Sequence, residues 1–244
     1  MNVKLVNFTQ NALETLLYTK NTRLQGQVTF DDIVDWPEEK KMEHFNYMLD
    51  TIQSSFEFVD YTFEISGVTR AFTHQLVRTR TGSYAQESQR TVDVRNSDVI
   101  NTTNDPLFDQ LSDAILEGYA SMIDSGIPVQ DARGILPTNM STSIICKFDL
   151  RTLHNMALLR LCTRTQGEYQ NVFKQMVECV RTVHPWVEQF LRVHCVWYGV
   201  CAFPRYNQCP MQEHTHKPDR VMLQSVFDNV SHEARPVAKG GMTQ

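Results

Sequence analysis

The chain has 244 residues, enough for one large domain or two small ones at about 100–200 residues each. Hydrophobic residues at 41% and charged residues at 21% are those of an ordinary globular chain, which excludes collagen, mucin, acidic disordered tails and coiled-coil rods. A formal net charge of −5 argues against a broad surface for a nucleic-acid polymer, but leaves room for a local pocket that takes a small anion.

No apolar run approaches the roughly 18 residues a membrane-spanning helix needs. The start, MNVKLVNFTQNALE, lacks a basic segment followed by a long apolar run, so a secretory leader is not expected and the cytoplasm is the expected compartment. The cysteines stand at 146, 162, 179, 195, 201 and 209, and no pair forms a CxxC. A reducing cytosol would keep them as thiols.

In chain order, Val3 to Phe8 alternates as a short strand does, and residues 11–20 have helical character. Residues 38–54 predict a helix whose acidic start behind Pro37 suits the positive end of the helix dipole. Val59, Tyr61, Phe63 and Ile65 recur at period two and predict a strand over 56–65. After Gly67, residues 69–80 predict a helix that runs into RTRTGSYAQESQR, and 92–106 reads as a loop. Residues 106–124 predict a helix with Phe108, Leu111, Ile115 and Met122 on one stripe, with Gly126 placed to end it and Pro128 to open the next. A strand is expected over 143–149, then helices over 151–164 and 167–182. The second carries Tyr169, Val172, Phe173, Met176 and Val180 on one face. Pro185 marks a break before a helix over 186–198, and 207–220 reads as another loop. The order is that of an α+β protein.

Two polar clusters stand out. Gln75, Arg78, Arg80, Ser83, Gln86, Glu87, Ser88 and Arg90, with Arg70 upstream, combine hydroxyls and guanidinium forks, the groups that hold a phosphate. A solvated helix end laced with ion pairs is the alternative. Arg133, Asp149, Arg151, Asn155 and Arg160 form the second. Arg160 falls beside an otherwise apolar helix face, where it must pair, snorkel to water or point into a polar pocket.

The run Arg78-Thr79-Arg80, seven residues, then Ser88 resembles the signature of the flavin-dependent thymidylate synthases, Arg-His-Arg, seven residues, Ser. GIPVQDARGILPTN (126–139) resembles the family's Gly-Val-Pro…Ala-Arg…Leu-Pro-x-Asn segment. DLRTLHNMALLRLCTRTQGEYQ (149–170) resembles its Arg-Ser/Thr-Leu-x-Asn-Phe…Arg…Gln-x-Glu helix. The resemblance covers roughly residues 3–190.

The resemblance implies a fold of that type, with a mixed sheet and a helical bundle in residues 1–195 and an extension of unassigned role over 196–244. It implies a homotetramer with shared active sites that binds FAD and a pyrimidine deoxynucleoside monophosphate, dUMP. Methylenetetrahydrofolate would serve as one-carbon donor and NADPH as reductant, with dTMP as product. Gln75, Ser88, Arg90 and Arg133 fall at nucleotide positions, with Gln86, Glu87 and Gln89 beside them. Arg78 falls between nucleotide and flavin. Arg80, Arg151 and Asn155 fall at flavin positions, joined by Ser54, Thr79, Gln86 and Asp149. Arg160 matches the arginine that activates the pyrimidine ring, where a fixed cation stabilises charge developing on the ring as C5 attacks.

The chain departs from the family pattern at several places. Thr79 replaces the signature histidine, Ala85-Gln86 an Asn-Glu pair, Asp149 an asparagine, and Gln130 an acidic residue. Gln53-Ser54-Ser55-Phe56-Glu57 is what remains of an upstream His-x-Thr-Pro-Phe-Glu-His motif. Two alternatives stay open: a relative that acts on dCMP or transfers a hydroxymethyl group, and a nucleotide-binding protein without redox chemistry. Cys195, Cys201 and Cys209 with His214 and His216 could supply zinc ligands. Their spacing is not that of a usual finger, so the reading carries no metal and treats the thiols as packing groups. His184, beside Pro185, is expected at a helix end rather than in catalysis.

Overall fold

The computed structural model describes residues 1–23, 27–51, 53–203 and 209. The chain divides into two units, with the boundary between Arg192 and Val193.

The first unit is organised on a four-stranded sheet in the order β1-β2-β4-β3: β1 (Asn2–Phe8), β2 (Asp60–Thr69), β3 (Ser83–Gln86) and β4 (Ser141–Asp149). Every pairing is antiparallel, so the sheet is not the mixed one expected, although the α+β class holds. Val59, Tyr61, Phe63 and Ile65 are all fully buried, as their period predicted. β2 begins later than expected, because residues 53–58 form a 3-10 turn. It also ends later, at Thr69. Between Ile65 and Val68 the register slips, and Gly67 takes φ +63° within the irregularity. Such a bulge needs a left-handed residue, and glycine supplies one without strain.

Helix α1 (Ala12–Arg23) packs on α2 (Phe30–Val34) and α3 (Glu38–Thr51). Helix α4 (Arg70–Leu76) leaves directly from β2, much shorter than the expected 69–80. Helix α5 (Pro106–Asp124) starts from an Asp105 cap with Pro106 at the first position and gives way at Gly126 (φ +87°). It covers a small core of Val94, Tyr119, Ala132 and Met140. After the short α6 (Val129–Ala132), β4 runs into α7 (Leu150–Arg160). This helix stops at Arg160 rather than 164.

Helix α8 (Gly167–Val183) lays Tyr169, Val172, Phe173, Met176 and Val180, each fully buried, against the sheet. A second aromatic core joins Phe45, Phe56, Trp186 and Phe190. Phe56 and Phe190 are stacked at 4.3 Å. His184 caps the end of α8 with its ring buried, and its Nδ1 is 2.8 Å from the Tyr61 hydroxyl, a helix-end role as expected.

The helix expected over 186–198 is instead a 3-10 turn, Pro185–Gln189, followed by a separate α9 (His194–Tyr198) in the second unit. Cys195, Cys201 and Cys209 are half-buried, and His214 and His216 lie outside the described residues, as does nearly all of the 207–220 loop. Among the described residues no group of three metal-ligating side chains converges, and no helix is long and apolar enough to cross a membrane.

Candidate active site

The signature residues sit on a tight connection between α4 and β3. The Thr79 amide donates to the Leu76 carbonyl at 3.0 Å, and the Gly82 amide donates to the Thr79 carbonyl at 3.1 Å. The Tyr84 hydroxyl then lies 3.0 Å from the Leu76 carbonyl and 2.6 Å from the Thr79 carbonyl. Carbonyls at a helix end fall short of their usual partners, and here a phenol adds a second donor to each of two that the backbone already meets. Burial pushes the Tyr84 hydroxyl well above its ordinary range, so it remains a donor. Arg78 and Arg80 project from this connection into solvent, with Thr79 half-buried between them.

Beyond β3 the chain is pinned to β4. The Glu87 amide donates to the Ser143 carbonyl at 3.1 Å, and Glu87 Oε2 accepts from the Ser143 amide at 3.2 Å. The Gln86 amide nitrogen turns inward and donates to Thr73 Oγ1 at 2.7 Å. Ser88 Oγ accepts from the Arg90 amide at 3.1 Å, so these two residues share one turn. Gln89 between them is half-buried.

Arg70 donates to the Glu87 carbonyl at 3.2 Å. The amides of Arg70 and Ala71 donate to the carbonyls of Met140 and Thr138, which brings the segment after α6 alongside α4. Arg133 is thereby close enough to Arg70 to act on its charge. Burial first, and the Arg133 guanidinium second, hold Arg70 below its usual range, while Glu87 opposes them. Arg133 itself donates to the Gln130 carbonyl at 3.1 Å.

Asp149 caps α7, its Oδ1 accepting from the Thr152 amide at 2.6 Å. One turn on, the Thr152 hydroxyl reaches Thr81 Oγ1 at 3.0 Å and ties α7 to the signature connection. Arg151 pairs with Glu57, and Ser54 accepts from Arg23, so the remnant of the upstream motif gathers at the 3-10 turn beside α7. Asn155 lies exposed one turn past Arg151.

Arg160 ends α7, where a cation suits the negative end of the helix. Its guanidinium carbon stands 4.5 Å from the centroid of the Tyr169 ring. Burial raises the Tyr169 hydroxyl above its usual range, and the nearby Arg160 charge pulls it part of the way back. No hydrogen bond or ion pair among the described residues joins Arg133 to Arg160 directly.

Residues absent from the expected site prove to hold it in place. Gln166 hydrogen-bonds Gln75, and Glu168 accepts from both the amide and the hydroxyl of Thr69. Both belong to the Gln-x-Glu motif quoted above, which was the available signal. Tyr169 was legible only as a member of the α8 apolar stripe.

Among the described residues the signature arginines carry no ion pair, whereas Arg95, Arg151 and Arg181 meet carboxylates. None of Arg70, Arg78, Arg80, Arg90, Arg133 or Arg160 is in an ion pair there. Arg23 and Arg192 likewise meet no carboxylate there, donating to Ser54 and the Glu188 carbonyl, so the signature arginines are distinguished by their clustering along one connection of an α+β domain rather than by lack of pairing alone.

The family model described as thymidylate synthase complementing protein matches residues 4–186. The flavin-dependent thymidylate synthase of Pyrococcus furiosus is 31% identical over 219 residues, covering 82% of this chain and 89% of that one. The same enzyme of Sulfurisphaera tokodaii is 30% identical over 204 residues, covering 80% and 79%. The crystal structure of thymidylate synthase X from Helicobacter pylori with FAD and dUMP superposes with a TM-score of 0.65 at 20% identity, covering 78% of this chain and 99% of that one. The fold is therefore the one expected, and the chain belongs to the thymidylate synthase complementing protein family, the flavin-dependent thymidylate synthases.

Proposed function

We propose that the chain methylates C5 of dUMP to give dTMP. FAD would be the bound redox group, methylenetetrahydrofolate the one-carbon donor and NADPH the reductant. The observation that carries this reading is the set of guanidiniums without carboxylate partners along the α4–β3 connection and at Arg133 and Arg160. Such donors fit phosphate and pyrophosphate groups, which is the test that a flavin dinucleotide and a nucleotide monophosphate both need to pass. The Helicobacter pylori protein, which shares the fold, was crystallised with both.

When bound, the flavin supplies the reducing equivalents that turn the transferred one-carbon unit into a methyl group. The chain's own residues bind and polarise. Arg70 and Arg133, close enough to repel, would share the nucleotide phosphate, whose charge relieves that repulsion. Ser88 and Arg90, on one turn, would add a hydroxyl and a further guanidinium, and Gln75, held by Gln166, an amide. Arg78, Arg80, Ser54, Arg151 and Asn155 would hold the flavin. Arg160 would face the pyrimidine edge. Its proton cannot be lost, so it acts as a fixed positive charge that stabilises the electron-rich ring as C5 attacks.

Asp149 spends one carboxylate oxygen on the α7 cap, which ties it to the start of that helix. A homotetramer is part of the proposal. It is supported by Leu107 and Leu111, both 56% exposed on α5, an apolar strip that a lone chain would leave in water.

The deciding experiment is release of tritium from C5-labelled dUMP by the purified protein with methylenetetrahydrofolate and NADPH, alongside labelled dCMP. A yellow protein with a flavin spectrum and release from dUMP alone is expected. A colourless protein that binds dUMP, or release from dCMP instead, would overturn the reading.

A further inference from the structure

We infer that Tyr169 is the positioning residue for Arg160, and that its aromatic face fixes where the guanidinium stands. This rests on the role proposed above for Arg160. The arginine is the last residue of α7, so no following turn of helix braces its long side chain. It has no ion-pair partner among the described residues, and its guanidinium lies against Tyr169, 4.5 Å from the ring centroid and close to the hydroxyl.

The choice of support has a chemical consequence. A carboxylate would hold the guanidinium but also neutralise the field it is needed to project. An aromatic face attracts the cation through the ring quadrupole and leaves its formal charge intact. Electrostatic stabilisation of a developing charge needs a donor that is set in advance and not already quenched.

The platform is itself rigid. Tyr169 is fully buried and sits edge-on to Phe72, with centroids 5.1 Å apart and an interplanar angle of 88°. The segment between Arg160 and Tyr169 is held at two points: Gln170 Nε2 donates to the Leu161 carbonyl at 2.9 Å, and Gln166 bonds Gln75. The Tyr169 hydroxyl is buried within reach of Thr79 and Arg160, although no pairing meets strict hydrogen-bond geometry. Tyr169→Phe therefore measures what the hydroxyl adds, and the fluorinated series measures the ring alone.

The test substitutes Tyr169 by Phe, by Leu, and by phenylalanines carrying one, two and three fluorines, which weaken the ring quadrupole at nearly constant shape. Tritium release from dUMP, flavin content and melting temperature are read for each, with Arg160→Ala alongside. Tyr169→Phe is expected to keep kcat within about twofold. Tyr169→Leu is expected to lower it about tenfold, with the KM for dUMP changed far less and flavin retained. Across the fluorinated series kcat should fall stepwise while the melting temperature stays level. A flat series together with an inactive Arg160→Ala protein overturns the inference and leaves the proposed function standing. A fully active Arg160→Ala protein overturns the role of Arg160 itself. If Tyr169→Leu does not fold, the fluorinated series decides alone.

Discussion

Glu168 grips Thr69 with both carboxylate oxygens, one accepting from the Thr69 amide at 2.8 Å and the other from its hydroxyl at 2.5 Å. The same hydroxyl oxygen accepts from the Phe72 amide at 3.0 Å, so a single relay fixes the start of α4 to the first turn of α8. Removing the carboxylate would strand a fully buried amide and hydroxyl. Glu168→Ala should therefore cost about 2–3 kcal/mol, and Glu168→Gln less, because a neutral carbonyl can still accept. Urea denaturation measures both. A loss no greater than that of exposed Glu178→Ala would show that the relay contributes nothing.

Gly82 has no room for a side chain. A Cβ there would stand 2.4 Å from Phe148 Cε1 and 2.6 Å from Tyr84 Oη. Phe148 is fully buried and cannot swing aside, and the Tyr84 hydroxyl would lose its place on the Leu76 and Thr79 carbonyls. Gly82→Ala should destabilise by about 1–3 kcal/mol as an overpacked site. Gly134→Ala, where a Cβ meets nothing within 4 Å, is the control and should be close to neutral. Equal melting temperatures for the two variants would contradict the steric reading.

The two arginines assigned to the nucleotide should fail differently. Arg133→Ala would remove the charged contact proposed to the phosphate and should weaken dUMP binding about tenfold or more, leaving the flavin spectrum unchanged. Arg160→Ala should abolish turnover with flavin still bound. Calorimetry with dUMP and the tritium assay separate these outcomes, and an unaltered dUMP affinity in the Arg133 variant would remove it from the phosphate site.

Acid should destabilise the fold through its buried imidazoles. Burial holds both His154 and His184 below the ordinary value of 6.5. In the unfolded chain each takes up a proton as the pH falls through 6.5, whereas in the fold each stays neutral to lower pH. The unfolded state then binds more protons, so stability declines with falling pH, at most about 1.4 kcal/mol per pH unit for each histidine. The urea midpoint should drop between pH 7.5 and 5.5, and His184→Gln should drop less steeply whatever its stability at neutral pH. Parallel slopes would rule out His184 as a contributor.

Much of the fold was readable wherever one face of an element is buried. The period-two run from Val59 to Ile65 and the α8 stripe are both core, because a single face of each meets the sheet interior. Strand β3 escaped notice because Ser83-Tyr84-Ala85-Gln86 is short and lies at an edge, so only Tyr84 and Gln86 turn inward. Gly67 looked like a stop, yet a glycine in a bulge and a glycine ending a strand are alike in sequence. On α5, Leu111 lies on the expected stripe but is exposed, since the helix buries Ser112 and Tyr119 instead. The site followed the same division. Arginines and hydroxyls declare themselves by type, while Gln166, Glu168 and Tyr169 matter only through partners far along the chain.

The phenol of Tyr84 completes the end of α4 and so makes the Arg78–Arg80 connection a continuation of the folded core rather than a flap. The anion proposed to bind there would meet a frame already assembled. Little backbone freedom remains to be surrendered on capture, and affinity is spent on charge rather than on ordering the protein.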